Sequence, residues 1–92
     1  MTLHELREVC KEYPELSALW TNLTLAAFAA EIVGLPLSLI AHDGEKLAPE
    51  QVHEYRLQYV KFRIIAAQFI CACKKYGVSP PELSVADICS LI

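Results

Sequence analysis

The stretch 54–77, EYRLQYVKFRIIAAQFICACKKYG, constrains the chain more than any other, because as an α-helix it is apolar on two separate sides. Val52, Tyr55, Tyr59, Phe62, Ala66, Phe69, Cys73 and Tyr76 recur at spacings of three and four along one seam. Leu57, Val60, Ile64, Ala67 and Cys71 do so along a second. A helix at the edge of a bundle needs one such face. Two make this helix either the centre of its own bundle or an element shared between the chain and a partner. Arg56 and Arg63, one heptad apart, and Lys74 fall in the narrower gap between the seams. Glu54, Gln58, Lys61, Gln68 and Lys75 form the broader polar side.

Helix signals bracket this stretch and fill the rest of the chain. Pro49 and Glu50 open the long helix. Lys74 and Lys75 suit the negative end of its dipole, and Gly77 followed by Val78 has the pattern of a Schellman stop. Upstream, Thr2 and Glu5 form a capping box ahead of Leu3, Leu6, Cys10 and Tyr13 on one helical face. Pro14 opens a second helix with Leu16, Leu19, Trp20, Leu23, Ala27 and Ala30 on one side and Leu25, Phe28 and Ile32 on the other. Gly34 and Pro36 predict its end near Gly34. The following segment, 35–43, reads as helix or irregular, and His42-Asp43-Gly44 as a turn. Ser84 and Asp87 cap a short last helix. The expectation is one all-α domain over 1–92: a small bundle of three main helices plus a short C-terminal helix, the long third one central or at a dimer interface. Alanines at 26, 27, 29 and 30, and at 66, 67 and 72, leave room for close helix approach.

Charge narrows the range of partners. The formal net charge is −3, yet the third helix is locally basic, with Arg56, Lys61, Arg63, Lys74 and Lys75 outweighing Glu50 and Glu54. Acidic residues elsewhere in the chain can neutralise it, which argues against a nucleic-acid partner, whose backbone demands a surplus of unpaired cations. Glu31, alone on the apolar second helix, is the expected internal mate of Arg63. The run 16–41 has the length to cross a bilayer, but Glu31 at depth and a break at Gly34 and Pro36 make a membrane span unlikely. The start, MTLHELREVCKEYPE, lacks the apolar core of a signal peptide, so the expected location is cytoplasmic. Cys10, Cys71, Cys73 and Cys89 then read as reduced, buried, small hydrophobes.

Catalytic and metal chemistry finds little support. Cys71 and Cys73, two apart on a helix, diverge by about 200° and cannot face one ion. His4, His42 and His53 lie in separate segments, and Gly34, Gly44 and Gly77 are isolated rather than gathered in a phosphate loop. No enzyme, metal or cofactor is expected. With 54% apolar and 21% charged residues, against about 45–50% and 25% in typical domains, the chain has apolar surface to spare for an interface. The reading is therefore a contact module, a small regulatory, adaptor or complex-subunit protein working through helix–helix packing. Its partner would be another protein or, by preference, a second copy forming a homodimer. The interface would comprise Arg56, Leu57, Val60, Arg63, Ile64, Cys71 and Lys74. The alternative is a carrier for an apolar small molecule, with Trp20, Phe28, Tyr55, Tyr59, Phe62 and Phe69 lining a pocket between helices.

Overall fold

A computed structural model describes residues 1–42 and 48–91, with the backbone course alone for 35–42. Four helices follow in order: α1 (Leu3–Cys10), α2 (Pro14–His42), α3 (Pro49–Lys75) and α4 (Val85–Cys89), and no strand occurs among the described residues. The expected all-α architecture is the one found. The molecule measures 46 × 20 × 16 Å, and α3, at 27 residues and about 40 Å, runs nearly its full length.

Local signals set most helix ends. Thr2 Oγ1 accepts the Glu5 N–H at 3.2 Å and Glu5 Oε1 accepts the Thr2 N–H at 3.4 Å, completing the capping box. Pro49 stands in the first turn of α3, where the Gln51 side chain accepts the Ala48 N–H. Its other end closes as a Schellman motif: the Val78 N–H donates to the Cys73 carbonyl at 2.9 Å and the Gly77 N–H to that of Lys74 at 3.1 Å. Gly77 takes the left-handed conformation this requires, with φ of 71°. Ser84 Oγ accepts the Asp87 N–H to cap α4.

The core lies where α2 packs along α3, with α1 and α4 laid against α2. Phe69, Leu6, Leu16, Leu23, Ile88, Cys10 and Cys73 are fully buried. Each large apolar side chain among them contributes roughly 1.5–3 kcal/mol of transfer free energy. Ala27, Ala30, Ala66 and Ala72 are buried too, and their short side chains let the helices approach. Phe69 meets Trp20 at 5.8 Å between centroids. At the far end of the hairpin Tyr76 stacks on Tyr13 at 4.6 Å, its hydroxyl donating to Glu15 Oε2 at 2.6 Å.

Two expectations need correction, and one is narrowed. First, α2 does not stop near Gly34 but continues to His42. Gly34 is there for close approach rather than termination: a Cβ on it would stand 2.8 Å from Cε2 of Tyr55 on α3. His42 is thus helical, while Asp43 and Gly44 of the expected turn lie outside the described residues. The break that was to disqualify α2 as a membrane span is absent, and Pro14–Gly34 is long and apolar enough to cross one by length and composition, with mean hydropathy 1.4. Second, of the two placements expected for α3, central or with a face left for a partner, the described residues narrow the choice: Phe62, Ala66, Phe69 and Cys73 are buried, while Leu57, Val60 and Ile64 are exposed. Third, the cysteines are not uniformly buried: Cys71 is exposed and Cys89 half-buried.

The Gly34–Tyr55 contact yields a double-mutant prediction. With Tyr55→Ala in place, Gly34→Ala should stabilise the protein by about 1 kcal/mol, the ordinary helix preference for alanine. In the wild type the displaced ring should cancel or reverse that gain, giving a coupling of about 1 kcal/mol in urea unfolding. Equal effects in both backgrounds would remove close approach as the reason for the glycine.

Candidate interaction surface

The first seam of α3 is spent on the core. Phe62, Ala66, Phe69 and Cys73 are buried and Tyr76 half-buried, whereas Tyr55 and Tyr59, nearer the start of the helix, are 37% and 39% exposed and stacked at 6.2 Å. Ridges at helical spacing can face only one neighbour at a time, so the second seam points away from α2. Leu57, Val60 and Ile64 are 41%, 51% and 54% exposed, and Ala67 and Cys71 are exposed beside them. The sequence-expected interface residues Arg56, Leu57, Val60, Arg63, Ile64, Cys71 and Lys74 all lie on the exposed side of α3.

This seam changes character along its length. Its first half carries the bulky Leu57, Val60 and Ile64; its second half carries the small Ala67 and Cys71. Ala67 forms a low ridge between two grooves. One, of about 600 Å³, lies toward α2 and is lined by Glu15, Leu19, Ala67, Gln68, Cys71 and Lys75. The other, of about 420 Å³, lies toward the segment after α3 and is lined by Tyr59, Phe62, Arg63, Ala67, Ile70 and Leu83, with Glu82 at its edge. Both grooves are open to solvent. Of the aromatic residues expected to line a carrier pocket, Phe69 is buried in the core against Trp20, and Phe62, also buried, lines the second groove with Tyr59.

Charged groups flank the seam on both sides. Arg56, Arg63 and Lys74 border one edge; Glu54, Lys61, Gln68 and Lys75 border the other. Among the described residues the ion pairs are Arg7–Glu8, Lys11–Glu8 and Lys75–Glu15, so Arg56 and Arg63 are not held by a carboxylate of the described chain. The expected Glu31–Arg63 pair does not form. Glu31 lies instead beside α4, where the Cys89 thiol is pushed up to about 12 by burial first and then by the neighbouring Glu31 carboxylate. Sequence spacing carries no signal for that contact, because it depends on where the chain after Gly77 returns across α2.

At the hairpin's end Glu15 receives the Tyr76 hydroxyl and the Lys75 ammonium, at 2.6 and 3.2 Å. The Tyr76 hydrogen bond, then the Lys75 one, hold its carboxyl below the ordinary range. Cys71 and Cys73 diverge as the helix geometry requires, one exposed and one buried. Burial raises Cys73, and burial with the neighbouring Cys73 pushes Cys10 up to about 11.

The outer side of α2 is a second exposed apolar face, with Leu25 62% and Ile32 70% exposed. Among the described residues, α2 carries Glu15 and Glu31 as its charged groups. The chain matches no protein-family model, no curated protein and no solved structure.

Two measurements check this description. Alkylation of the native protein at about pH 8 and low protein concentration should modify Cys71 alone, with Cys10, Cys73 and Cys89 modified only on unfolding; peptide mass spectrometry reads the positions. Because folding lowers the Glu15 pKa, its contribution to stability is present above the ordinary carboxylate value and lost as pH falls through the lowered one. Wild type should therefore be more stable than Glu15→Gln at neutral pH, and their pH–stability curves should converge in acid.

Proposed function

We propose that this protein is a non-enzymatic contact module, a small regulatory, adaptor or complex-subunit protein whose working surface is the outer face of α3. The observation that carries this reading is the placement of Leu57, Val60 and Ile64. They continue a regular three-four apolar seam on a helix whose opposite side is already buried in the core. Isolated exposed apolar residues are ordinary in any fold. A periodic row of them, bordered by charged side chains, is the pattern of a helix that receives another surface. The two grooves beside Ala67 offer holes for the side chains of whatever lies along it.

The same placement supports a role separate from folding. A substitution on an exposed helix face changes stability by about 0.5 kcal/mol or less, so Ile64→Glu should leave helix content and the unfolding midpoint nearly unchanged. The test places a photo-crosslinking amino acid at position 64 of the full chain in the cells that make it. A control carries the same group at Lys11, the exposed residue that follows α1. A discrete adduct, to a second copy or to another protein, is expected from position 64, absent from position 11 and lost when Val60→Glu is added. No protein adduct at 64, or an equal one at 11, would overturn the reading.

A further inference from the structure

The outer face of α3 is uneven in a way that specifies what can cover it. We infer that its occupant is the same face of a second copy, running antiparallel, with the dyad between Ile65 and Ala66. This rests on the reading of that face as the working surface.

Shape gives the first argument. A row that is bulky over Leu57, Val60 and Ile64 and low over Ala67 and Cys71 cannot fit itself in parallel, since bulk would meet bulk and hollow would meet hollow. Reversed, it fits. Ile64 of each copy then meets Ala67 of the other, on the ridge between the two grooves, and Val60 meets Cys71. Leu57 lies under the stem of Lys74, whose methylenes cover it while the ammonium reaches water. These are the alternating layers of an antiparallel helix pair, with each large residue set into the space left by a small one.

Charge selects the same arrangement. In this register the flank toward α2 brings Glu54 of one copy to Lys75 of the other, twice by symmetry, and sets Lys61 beside Gln68. The opposite flank sets Arg63 beside Ile70, so its stem packs and its head stays wet. Arg56 reaches the last turn of the other α3, where carbonyl groups carry the negative end of the helix dipole. A parallel pair would put Arg56 against Lys61. An antiparallel pair shifted by one heptad toward the N-terminus would put Arg63 against Arg63 and Lys61 against Lys61, with Val60 crowding Ile64. Each alternative brings like charges together; the parallel pair also sets Ala67 against Ala67 and leaves that space empty, and the shifted pair crowds Val60 against Ile64.

Sedimentation velocity of the full chain across the micromolar range should show a species of twice the 10.3 kDa chain mass. In a Glu15→Gln background, which removes the partner Lys75 has within its own chain, Glu54→Lys alone and Lys75→Glu alone should each weaken dimerisation roughly tenfold. Combined in one chain they should recover most of the loss, because each changed residue again meets an opposite charge. Circular dichroism of each variant confirms that the fold is kept. Disulfide trapping reads the direction independently. In this register the two Cys71 residues stand about 16 Å apart along the helix axes, beyond disulfide reach. Val60→Cys instead sets its thiol opposite Cys71, so mild oxidation should give covalent dimers that Cys71→Ser abolishes, while wild type gives none through Cys71.

A wild-type Cys71–Cys71 disulfide dimer would overturn the antiparallel register. A monomer at all concentrations would overturn the second copy as occupant, while the position-64 adduct would still decide the broader reading. Flotation of that monomer with phosphatidylcholine–phosphatidylserine vesicles, lost in Ile64→Glu, would assign the face to an anionic membrane instead.

Discussion

The close contact between α2 and α3 fixes the rest of the molecule. It forms because both helices present small residues where they meet: Ala27 and Ala30 on one, Ala66 and Ala72 on the other, all buried. Close backbones leave Phe69 only one place to go, into the space shared with Trp20, where it is fully buried. Further along α2, Gly34 leaves room for the Tyr55 ring, which a Cβ there would meet at 2.8 Å. With α3 held this way its rotation is set, and so is the direction of every residue on its outer side.

That rotation has a cost in covered surface. A domain of this size buries only roughly 60–65% of the surface its unfolded chain exposes. Here α1 and α4 are short, with 8 and 5 residues, and both are applied to α2. Of the described chain, Pro81 to Leu83 borders one side of α3 beside Arg63 and Ile70, and Leu57, Val60 and Ile64 remain exposed. The second seam of α3 is left outside, and so is the outer side of α2. The two faces differ in chemistry: Leu25 and Ile32 lie in a nearly uncharged surround, whereas Leu57, Val60 and Ile64 are bordered by cations and by Glu54.

Features that depend on neighbours in the chain were legible in the sequence, and features that depend on distant segments were not. The Thr2–Glu5 capping box, the Gly77–Val78 stop and the core seam through Phe62, Ala66, Phe69 and Cys73 each follow from residues within a few turns of one another. Gly34 misled because a glycine before a proline resembles a terminus, while its actual role is set by Tyr55 on another helix. Glu31 misled for the same reason: its partner was sought by charge, and the return of α4 supplied a thiol. Cys71 sat on the right seam of the helical wheel, but whether that seam is covered depends on how many helices the chain can spare.

Permanent charge between two apolar surfaces now has a physical account. A guanidinium has five donors and keeps its proton, so any surface that covers Arg56 or Arg63 without answering them must bear their desolvation. A featureless apolar partner that reached past the seam would strip water from both heads and return nothing. One that leaves the edges wet, or brings carboxylates and carbonyls to them, incurs no such penalty. The arginines therefore do little to strengthen association and much to restrict it, excluding orientations rather than attracting a particular one. The bulky and hollow halves of the seam impose a second, independent restriction. Both restrictions are met by the same reversed pairing of this face.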